Sequence, residues 1–330
     1  MLANNAVQFH DYEPELAEFG EEVINGLNQI PRTIPPKFFY DQTGSEIFDA
    51  ICETDEYYVT RTEINILETY QEDIAKHIGP GCLLIEPGSG SSQKVRILLD
   101  ALKPHTYLPM DISRDYLKLA AQDVANEYPW LDVQAACIDY TVPIDLPANL
   151  PGNAPNSRKI AFFPGSSIGN FEPGQARTFL HNIANMVQPG GGLLIGVDLK
   201  KNPDLLHAAY NDANGSTAAF NLNLLTRINR ELNGNFDVNA FSHHAFYNEK
   251  KGRIEMHLVS EQTQNIKIDN QEFQFTAGEH IHTESSYKYH IEEFQQLARQ
   301  AGFKPVKVWT DKDHLFSVHF LEATDKNLAP

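Results

Sequence analysis

The sequence predicts an α/β protein: a mostly parallel sheet joined to an added α+β domain. Three observations lead to this prediction. Residues 83–90, L-L-I-E-P-G-S-G, show the pattern of a buried strand that ends in a tight Gly-Ser-Gly turn. Strand and helix patterns then alternate as far as residue 198, which is typical of a Rossmann-like sheet. Beyond residue 199 the pattern changes to a helix that is broken at Gly215 and then resumed, followed by hairpin-like pairs of strands, which indicates the added domain.

The segment before this first strand is expected to be helical and rich in aromatic residues. Thr60 and Glu63 stand at capping-box spacing in front of the last of its helices. Tyr40 and Tyr57 fall in loops or at element ends, where a hydroxyl can reach a ligand, although packing is the commoner role of such aromatics. The expected helices cover about 15–27, 47–51 and 63–77.

The turn after the first strand allows a ligand to come close. Gly88 and Gly90 have no Cβ atom that would collide with a bound molecule. The helix expected over about 92–102 points its free N–H groups above the turn, and Lys94 lies in its first turn. A dinucleotide fingerprint would need a third glycine, where this chain has a Ser-Gln pair.

Three successive predicted strands end in an acid: Glu86, Asp111 and Asp139, the last followed by Tyr140. Carboxyl ends of parallel strands line one crevice, so we expect the three carboxylates to face one ligand. Each acid would alternatively cap the helix that follows it. Carboxylates suit a ribose diol and an adenine amine better than a bare pyrophosphate, which favours S-adenosylmethionine over NAD.

A second loop of small residues follows the predicted strand 159–163. Its sequence, P-G-S-S-I-G-N-F over residues 164–171, would face the same crevice; a plain strand-to-helix connection is the alternative. The density of Gly and Ser exceeds what a connection needs, and Asn170 offers both a donor and an acceptor. A Pro-, Asn- and Gly-rich loop at 149–157 precedes this strand, and a helix at about 174–186 and a strand at 192–198 follow it.

The second half of the chain is expected to build the added domain and then return to the first sheet. A hairpin at 241–248 and 252–261 is extended by two alternating stretches, at 266–268 and 273–275. Residues 279–287 lead back to the first domain. His280 and His282 stand at His-x-His spacing, but no further ligand accompanies them, and we predict no metal site. The expected domains are residues 61–198 with 287–330, which bind the nucleoside, and residues 1–60 with 199–286.

The composition of the chain limits the classes of partner that we expect it to bind. The chain of 330 residues has 26 Lys and Arg against 44 Asp and Glu, a formal net charge of −18. Without a basic tract we expect no nucleic-acid partner and no anionic membrane surface. No apolar run approaches a membrane span, and the N-terminus lacks the regions of a secretion signal. The cysteines, Cys52, Cys82 and Cys137, fit no disulfide framework. We expect a cytoplasmic monomer that acts on a small molecule.

Several motifs together resemble the L-histidine Nα-methyltransferases of ergothioneine biosynthesis. They are P-P-K-F-F-Y-D-Q-T-G-S-E-I-F-D, E-Y-Y-V-T-R-T-E, E-P-G-S-G-S-S-Q-K, G-S-S-I-G-N-F and R-I-E-M. The resemblance spans nearly the whole chain and implies a class I methyltransferase sheet with an added substrate-binding domain. It also implies transfer of three methyl groups from S-adenosylmethionine to the histidine α-amine, which gives hercynine, with S-adenosylhomocysteine as the second product.

The resemblance also implies which residues form the two binding sites. The cofactor would contact Gly88, Lys94, Asp111, Asp139 and Tyr140, to which the strand-end argument adds Glu86 and Gly90. The histidine would contact Tyr40, Phe48, Tyr57, Gly165, Asn170, Tyr210, Met256, Glu284 and Ser286. The chain departs from the family pattern at Pro87, Tyr140 and Ser285, and none of these changes removes a polar group that binding needs.

Methyl transfer to an amine depends mainly on orientation, because an α-amine with a pKa of roughly 8 needs no strong base. We expect Tyr40 to relay the proton and Asn170 to hold the amine and carboxylate, as the two catalytic residues. Tyr210 would donate to the substrate carboxylate. Tyr57 would face one imidazole nitrogen, and Glu284 with Ser286 the other. The alternatives are structural: core packing for Met256, helix-face packing for Tyr210 and an edge charge for Glu284.

Other functions fit the sequence less well. Methylation of another aromatic amino acid, such as tryptophan, is opposed by Glu284. An NAD-dependent oxidoreductase would need the missing third glycine. A non-catalytic adenosyl-binding module would not need the second small-residue loop.

Overall fold

The computed structural model describes residues 7–12, 16–143, 146, 150–151, 153 and 157–325. The loop expected at 149–157 lies largely outside this described part. In chain order the helices are α1 (Leu16–Leu27), α2 (Gln42–Cys52), α3 (Tyr58–Ile78), α4 (Gln93–Leu102), α5 (Arg114–Glu127), α6 (Pro173–Val187), α7 (Pro203–Ala209), α8 (Ser216–Glu231) and α9 (Ile291–Gln300). The strands are β1 (Gln8–Asp11), β2 (Arg32–Thr33), β3 (Leu83–Pro87), β4 (Thr106–Asp111), β5 (Asp132–Cys137), β6 (Lys159–Phe163), β7 (Gly192–Asp198), β8 (Phe241–Asn248), β9 (Arg253–Ser260), β10 (Gln264–Ile268), β11 (Gln271–Phe275), β12 (His280–Tyr287), β13 (Phe303–Thr310) and β14 (Phe316–Ala323).

The chain forms two compact units. Unit 1 comprises the described residues of 1–14, 59–200 and 288–330, and unit 2 comprises those of 15–58 and 201–287. The N-terminal boundary differs from the one that we expected, because residues 1–60 were assigned together to the second domain. The reason is strand pairing: β1 pairs in parallel with β5, with Gln8 opposite Gln134, so that the N-terminal strand is part of the sheet of unit 1.

Unit 1 contains an eight-stranded sheet in the order β1-β5-β4-β3-β6-β7-β14-β13. The first six strands of this order pair in parallel, and β14 pairs antiparallel with both β7 and β13. From β3 the chain moves outward to β4 and β5, and it then returns to β6 on the other side of β3. The order therefore reverses between β3 and β6, the position at which ligands bind in open α/β sheets. This topology confirms the predicted Rossmann-like sheet.

Helix α3 begins earlier than the sequence predicted. It starts at Tyr58, and both Tyr58 and Val59 are buried in its first turn. The expected capping box is wrong, because Glu63 lies inside the helix and its side chain is fully buried. None of the described helices, α3 included, has the length together with the apolar character that crossing a membrane requires.

Unit 2 contains a four-stranded sheet in the order β2-β12-β9-β8 and a separate pair, β10 with β11. We expected residues 266–268 and 273–275 to extend the larger sheet. This was wrong, because the two stretches, β10 and β11, hydrogen-bond to each other as an antiparallel pair, with Ile266 opposite Phe273. Residues 279–287 are also more than a connection: β12 is a central strand, hydrogen-bonded to β2 on one side and to β9 on the other.

Helix α8 is hydrogen-bonded to the four-stranded sheet through a buried side-chain amide, that of Asn221. The Asn221 side chain is fully buried; its Nδ2 donates to the carbonyl oxygen of His257 over 3.0 Å. Its Oδ1 accepts a hydrogen bond of 2.8 Å from the hydroxyl of Thr283. Because a buried amide left without partners is costly, this pair of bonds holds α8 across β9 and β12.

Candidate active site

The glycine turn after β3 is closely packed against the ends of neighbouring strands. Gly88 has a φ of +67°, and a Cβ atom there would lie 2.9 Å from the hydroxyl oxygen of Tyr140. Only glycine fits this position without strain. The N–H of Gly88 donates to the carbonyl of Met110 over 2.7 Å, and the N–H of Gly90 donates to Oδ2 of Asp111 over 3.0 Å. The turn is therefore held against the end of β4.

Two of the three predicted acids lie together at this edge. Asp111 also accepts a hydrogen bond from the N–H of Ser113, and Asp139 accepts one from the N–H of Thr141, both of 2.9 Å. Burial raises the pKa of Tyr140, and the charges of Asp111 and Asp139 raise it further. The two carboxylates are thus close to the same phenol, which stays protonated and able to donate a hydrogen bond.

Glu86 differs from the other two acids. It is buried, and the hydroxyl of Tyr107 donates to its Oε2. Burial raises the pKa of the Glu86 carboxyl to about 8; the hydrogen bond from Tyr107 and the charge of Lys94 oppose this rise, and Asp111 adds to it. Glu86 is therefore a carboxylic acid at neutral pH, hydrogen-bonded in the interior to Tyr107. Its direct contact with a cofactor stays a prediction.

A buried carboxylate connects the two small-residue loops of unit 1. Oε2 of Glu63 accepts a hydrogen bond of 2.6 Å from the ammonium of Lys94 and another of 2.8 Å from the N–H of Gly165. A Cβ atom at Gly196, in β7, would lie 1.9 Å from Oε1 of Glu63, so that the strand is shaped around this carboxylate. Sequence reasoning missed the role of Glu63. A glycine inside the aliphatic run of β7 was the available signal, because it often marks such a close approach.

Unit 2 brings together a second group of predicted residues, which are aromatic. The ring centroids of Tyr40 and Phe48 lie 5.7 Å apart, those of Phe48 and Tyr57 6.2 Å, and those of Tyr57 and Tyr210 6.2 Å. Phe220 of α8 contacts both Tyr40 and Phe48, with centroid distances of 5.6 and 5.8 Å. Sequence reasoning did not single out Phe220; its place on the apolar face of α8 was the only signal.

The polar residues of this group lie on one face of β12. A bulge between His282 and Glu284 resets the alternation of the strand, so that Glu284 and Ser286 share a face and Ser285 points to the other. Glu284 lies opposite Met256 in the register of β9. The hydroxyl of Tyr210 donates to the Ser286 hydroxyl over 2.9 Å.

The electrostatics of the group agree with this arrangement. Burial raises the pKa of Tyr57 well above its ordinary value, and Tyr210, Cys52, Tyr40 and Glu284 raise it further. Glu284 is itself buried, with 8% of its surface exposed. The structure thus places the protonated phenol of Tyr57 close to the buried carboxyl group of Glu284.

The two remaining predicted substrate residues lie in unit 1. Asn170 ends a short helical turn, Ser167–Asn170, that follows β6. The N–H of Gly165 is already engaged by Glu63. Contacts of Gly165 and Asn170 with a substrate stay predictions.

The residues of unit 1 fit a nucleoside with a positively charged sulfonium. Gly90 leaves open space where a Cβ atom would stand, Asp111 and Asp139 offer acceptor oxygens for a diol or an amine, and the Lys94 charge is neutralised by Glu63. This sheet, turn and acid set agree with the Rossmann-like class I methyltransferase fold that the sequence predicted.

Comparison with known proteins identifies the family within this class. Residues 19–323 match the SAM-dependent, histidine-specific methyltransferase family, and the chain belongs to that family. It is 39% identical over 297 residues to the histidine N-alpha-methyltransferase of Mycolicibacterium smegmatis, which covers 88% of this chain and 90% of that protein. The Mycobacterium tuberculosis protein of the same name is 37% identical with the same coverage. Ergothioneine biosynthesis protein 1 of Neurospora crassa is 31% identical over 85% of this chain and 32% of that protein. The resemblance seen in the sequence motifs is confirmed.

The first prediction concerns the buried carboxylate between the loops. In Glu63→Gln the ammonium of Lys94 loses its counter-charge, and we expect the free energy of unfolding to fall by about 1.5–3 kcal/mol, as for the loss of a hydrogen bond to a charged group. Urea unfolding measures this. Glu68→Gln, an exposed position on the same helix, is the control and should change little. Equal stability of the two variants would mean that Glu63 does not support the loops.

The second prediction concerns pH. Burial raises the pKa of Glu86 from 4.5 to about 8, so the folded protein holds this proton more tightly than the unfolded chain does. The stabilisation is complete below the unfolded pKa and is lost as the pH rises through about 8. We expect Glu86→Gln to remove this decline, which has a slope of at most about 1.4 kcal/mol per pH unit.

Urea unfolding at several pH values between about 4.5 and 8 tests it, with Glu249→Gln in an exposed turn as the control. Parallel pH profiles of Glu86→Gln and the wild type would contradict the prediction.

Proposed function

We propose that this protein transfers three methyl groups from S-adenosylmethionine to the α-amine of L-histidine and so makes hercynine, a step of ergothioneine biosynthesis. One observation carries the proposal beyond family membership: Glu284 and Ser286 share a face of β12 beside the phenols of Tyr57 and Tyr210. The names of the related proteins from mycobacteria and Neurospora crassa agree with it.

The imidazole ring of histidine matches these groups on both of its nitrogens. A buried carboxylate such as Glu284 favours a ring nitrogen that carries a proton, and the phenol of Tyr57 can donate to the other nitrogen. An indole offers one N–H and no acceptor, so it would leave the Tyr57 hydroxyl without its partner. A site built to bind a polar group rejects analogues that lack it. We therefore place tryptophan second among the substrates.

The amine end of the substrate needs orientation more than it needs a base. An α-amine loses its proton near a pKa of about 8, so a neutral fraction is present at physiological pH. We propose that Tyr40 relays the proton, that Asn170 holds the amine and carboxylate, and that Tyr210 donates to the carboxylate. As methyl groups accumulate, the nitrogen becomes a cation without N–H donors. Aromatic faces such as those of Tyr40 and Phe48 stabilise such a cation by about 0.5–2 kcal/mol.

The residues of unit 1 would hold the cofactor. S-adenosylmethionine supplies an activated methyl group on its sulfonium when it is bound. Asp111 and Asp139 would accept hydrogen bonds from its nucleoside, and the Gly88–Gly90 turn would admit it closely. Tyr140 covers Gly88 and keeps its proton, so its hydroxyl can serve as a donor there. Glu86 and Lys94 would support the site, through Tyr107 and Glu63 respectively.

We also propose that the protein works as a cytoplasmic monomer. The cysteines of the described residues are free, and Cys82 and Cys137 are buried, which suits a reducing compartment.

The third prediction tests the substrate. Purified protein is incubated with S-adenosylmethionine and histidine, tryptophan or tyrosine in separate reactions, and product masses are read. We expect a trimethylated product from histidine alone. Product from tryptophan or tyrosine without product from histidine would overturn the proposed function.

The fourth prediction tests Glu284. In Glu284→Ala the substrate ring loses a charge-assisted hydrogen bond, and we expect histidine binding to weaken by about 10- to 150-fold, the equivalent of 1.5–3 kcal/mol. Calorimetric titration with histidine and, separately, with S-adenosylhomocysteine measures the effect on each site. Binding of S-adenosylhomocysteine should stay within about twofold of the wild type.

Glu272→Ala, an exposed acid on β11, is the matched control, and both affinities should be unchanged. If Glu284→Ala weakened the two ligands equally, Glu284 would be a structural residue and not a substrate contact.

A further inference from the structure

The face of the unit 2 sheet that carries neither Met256 nor Glu284 holds a group of histidines. His244 of β8 lies opposite His257 of β9, and His257 lies opposite His282 of β12. His280 belongs to the same face, because side chains alternate along a strand. Its ring centroid lies 5.5 Å from that of His257. The proposed methyl transfer uses none of these rings.

Three side chains of this face have the chemistry and the spacing of metal ligands. Glu255, His257 and His282 each offer one ligand atom, and these atoms lie within 4.8 Å of one another. Bonds of about 2.0–2.2 Å to a tetrahedral ion place its ligand atoms roughly 3.4 Å apart. Side-chain rotations that bring the three atoms closer together would let them bind one ion; for Nε2 of His282 such a rotation would replace its 2.9 Å contact with the carbonyl oxygen of Glu284.

One ring nitrogen of His257 is available to bind a ligand. Its Nε2 lies 3.3 Å from Oε2 of Glu255, and within the described part of the chain its buried Nδ1 has no hydrogen-bond partner. Its ring stacks on that of His282, with centroids 4.8 Å apart. Two parallel imidazoles and a carboxylate of this kind are more than a sheet face needs for packing, and they point to a bound cation.

Arg253 decides which cation is suitable. Its guanidinium contacts Oε1 of Glu255 through Nε, at 2.8 Å, and through Nη2, at 2.7 Å. The other oxygen, Oε2, faces the histidine rings. The contact with Arg253 orients the carboxylate, as partners of metal ligands commonly do. It also lowers the negative charge of the site. Hard ions such as Mg²⁺ and Ca²⁺, which depend on oxygen ligands and charge, are disfavoured, and ions that bind imidazole well are favoured.

We propose that Glu255, His257 and His282 form a binding site for a divalent transition-metal ion of the Zn²⁺ type. Water or the exposed His280 would complete four-coordination. The ion would cross-link β9 and β12, the two strands that carry Met256 and Glu284 on their other face. The His-x-His pair at residues 280 and 282 was discounted in the sequence for want of further ligands; the fold supplies them from β9.

The test uses the full chain, freed of any histidine tag and of metal. It is titrated with Zn²⁺ by calorimetry and with Co²⁺ by visible absorption. We expect one equivalent of either ion to bind and Zn²⁺ to raise the unfolding temperature. Mg²⁺ should give no binding.

The ligand variants keep the shape of the site. His257→Phe and His282→Phe retain the stacked rings, and Glu255→Gln retains an acceptor for Arg253. Each should weaken Zn²⁺ binding by at least about tenfold and abolish most of the thermal shift. Unfolding temperatures without metal show whether each variant folds. His181→Gln, on α6 of unit 1, is the control and should bind as the wild type does.

Two results would overturn the proposal. One is the absence of saturable Zn²⁺ binding by the wild type. The other is Zn²⁺ binding of undiminished affinity by folded Glu255→Gln and by the two Phe variants, since the ion would then be held elsewhere in the chain.

Discussion

The carboxylate of Glu63 is the interaction on which unit 1 depends most. It is fully buried and receives hydrogen bonds from Lys94, which follows one small-residue loop, and from Gly165, which belongs to the other. A buried charge is tolerated only when it is paired and hydrogen-bonded. The two loops at the switch between β3 and β6 are therefore positioned by the same group, before any ligand binds.

The acids around this switch show how burial assigns different roles to one residue type. Glu86 is held in the interior against Tyr107, and its raised pKa keeps it protonated at neutral pH. Asp139 accepts local backbone and hydroxyl hydrogen bonds. Burial raises the pKa of Asp111, and hydrogen bonds from the backbone N–H groups of Ser113, Gly90 and Ile112 oppose this rise. A strand end alone does not distinguish these cases, because the difference arises from what packs against each carboxyl.

In unit 2 a single bulge in β12 places neighbouring residues on opposite faces of the sheet, where they have different proposed functions. It places Glu284 and Ser286 towards the phenols of Tyr57 and Tyr210, and it leaves His282 beside His257 on the other face. Asn221 supports the bulge through Thr283 and holds α8, with Phe220, against the same strands. Side chains two positions apart, those of His282 and Glu284, thus serve a proposed metal site and a proposed substrate site.

The sequence by itself determined the succession along the chain of the strands and helices that build the parallel sheet, the glycine turn, the acids at strand ends and the family. These features are local, because short stretches of chain are enough to specify hydrophobic periodicity and glycine conformations. Only the tertiary structure decided that Glu63 lies inside α3 and binds two loops, that β1 joins β5, and that β12 is a central strand. It also decided that Glu255 and His257 stand beside His282. Such pairings join residues far apart in the chain, and they depend on strand register and burial, which no short stretch of sequence specifies.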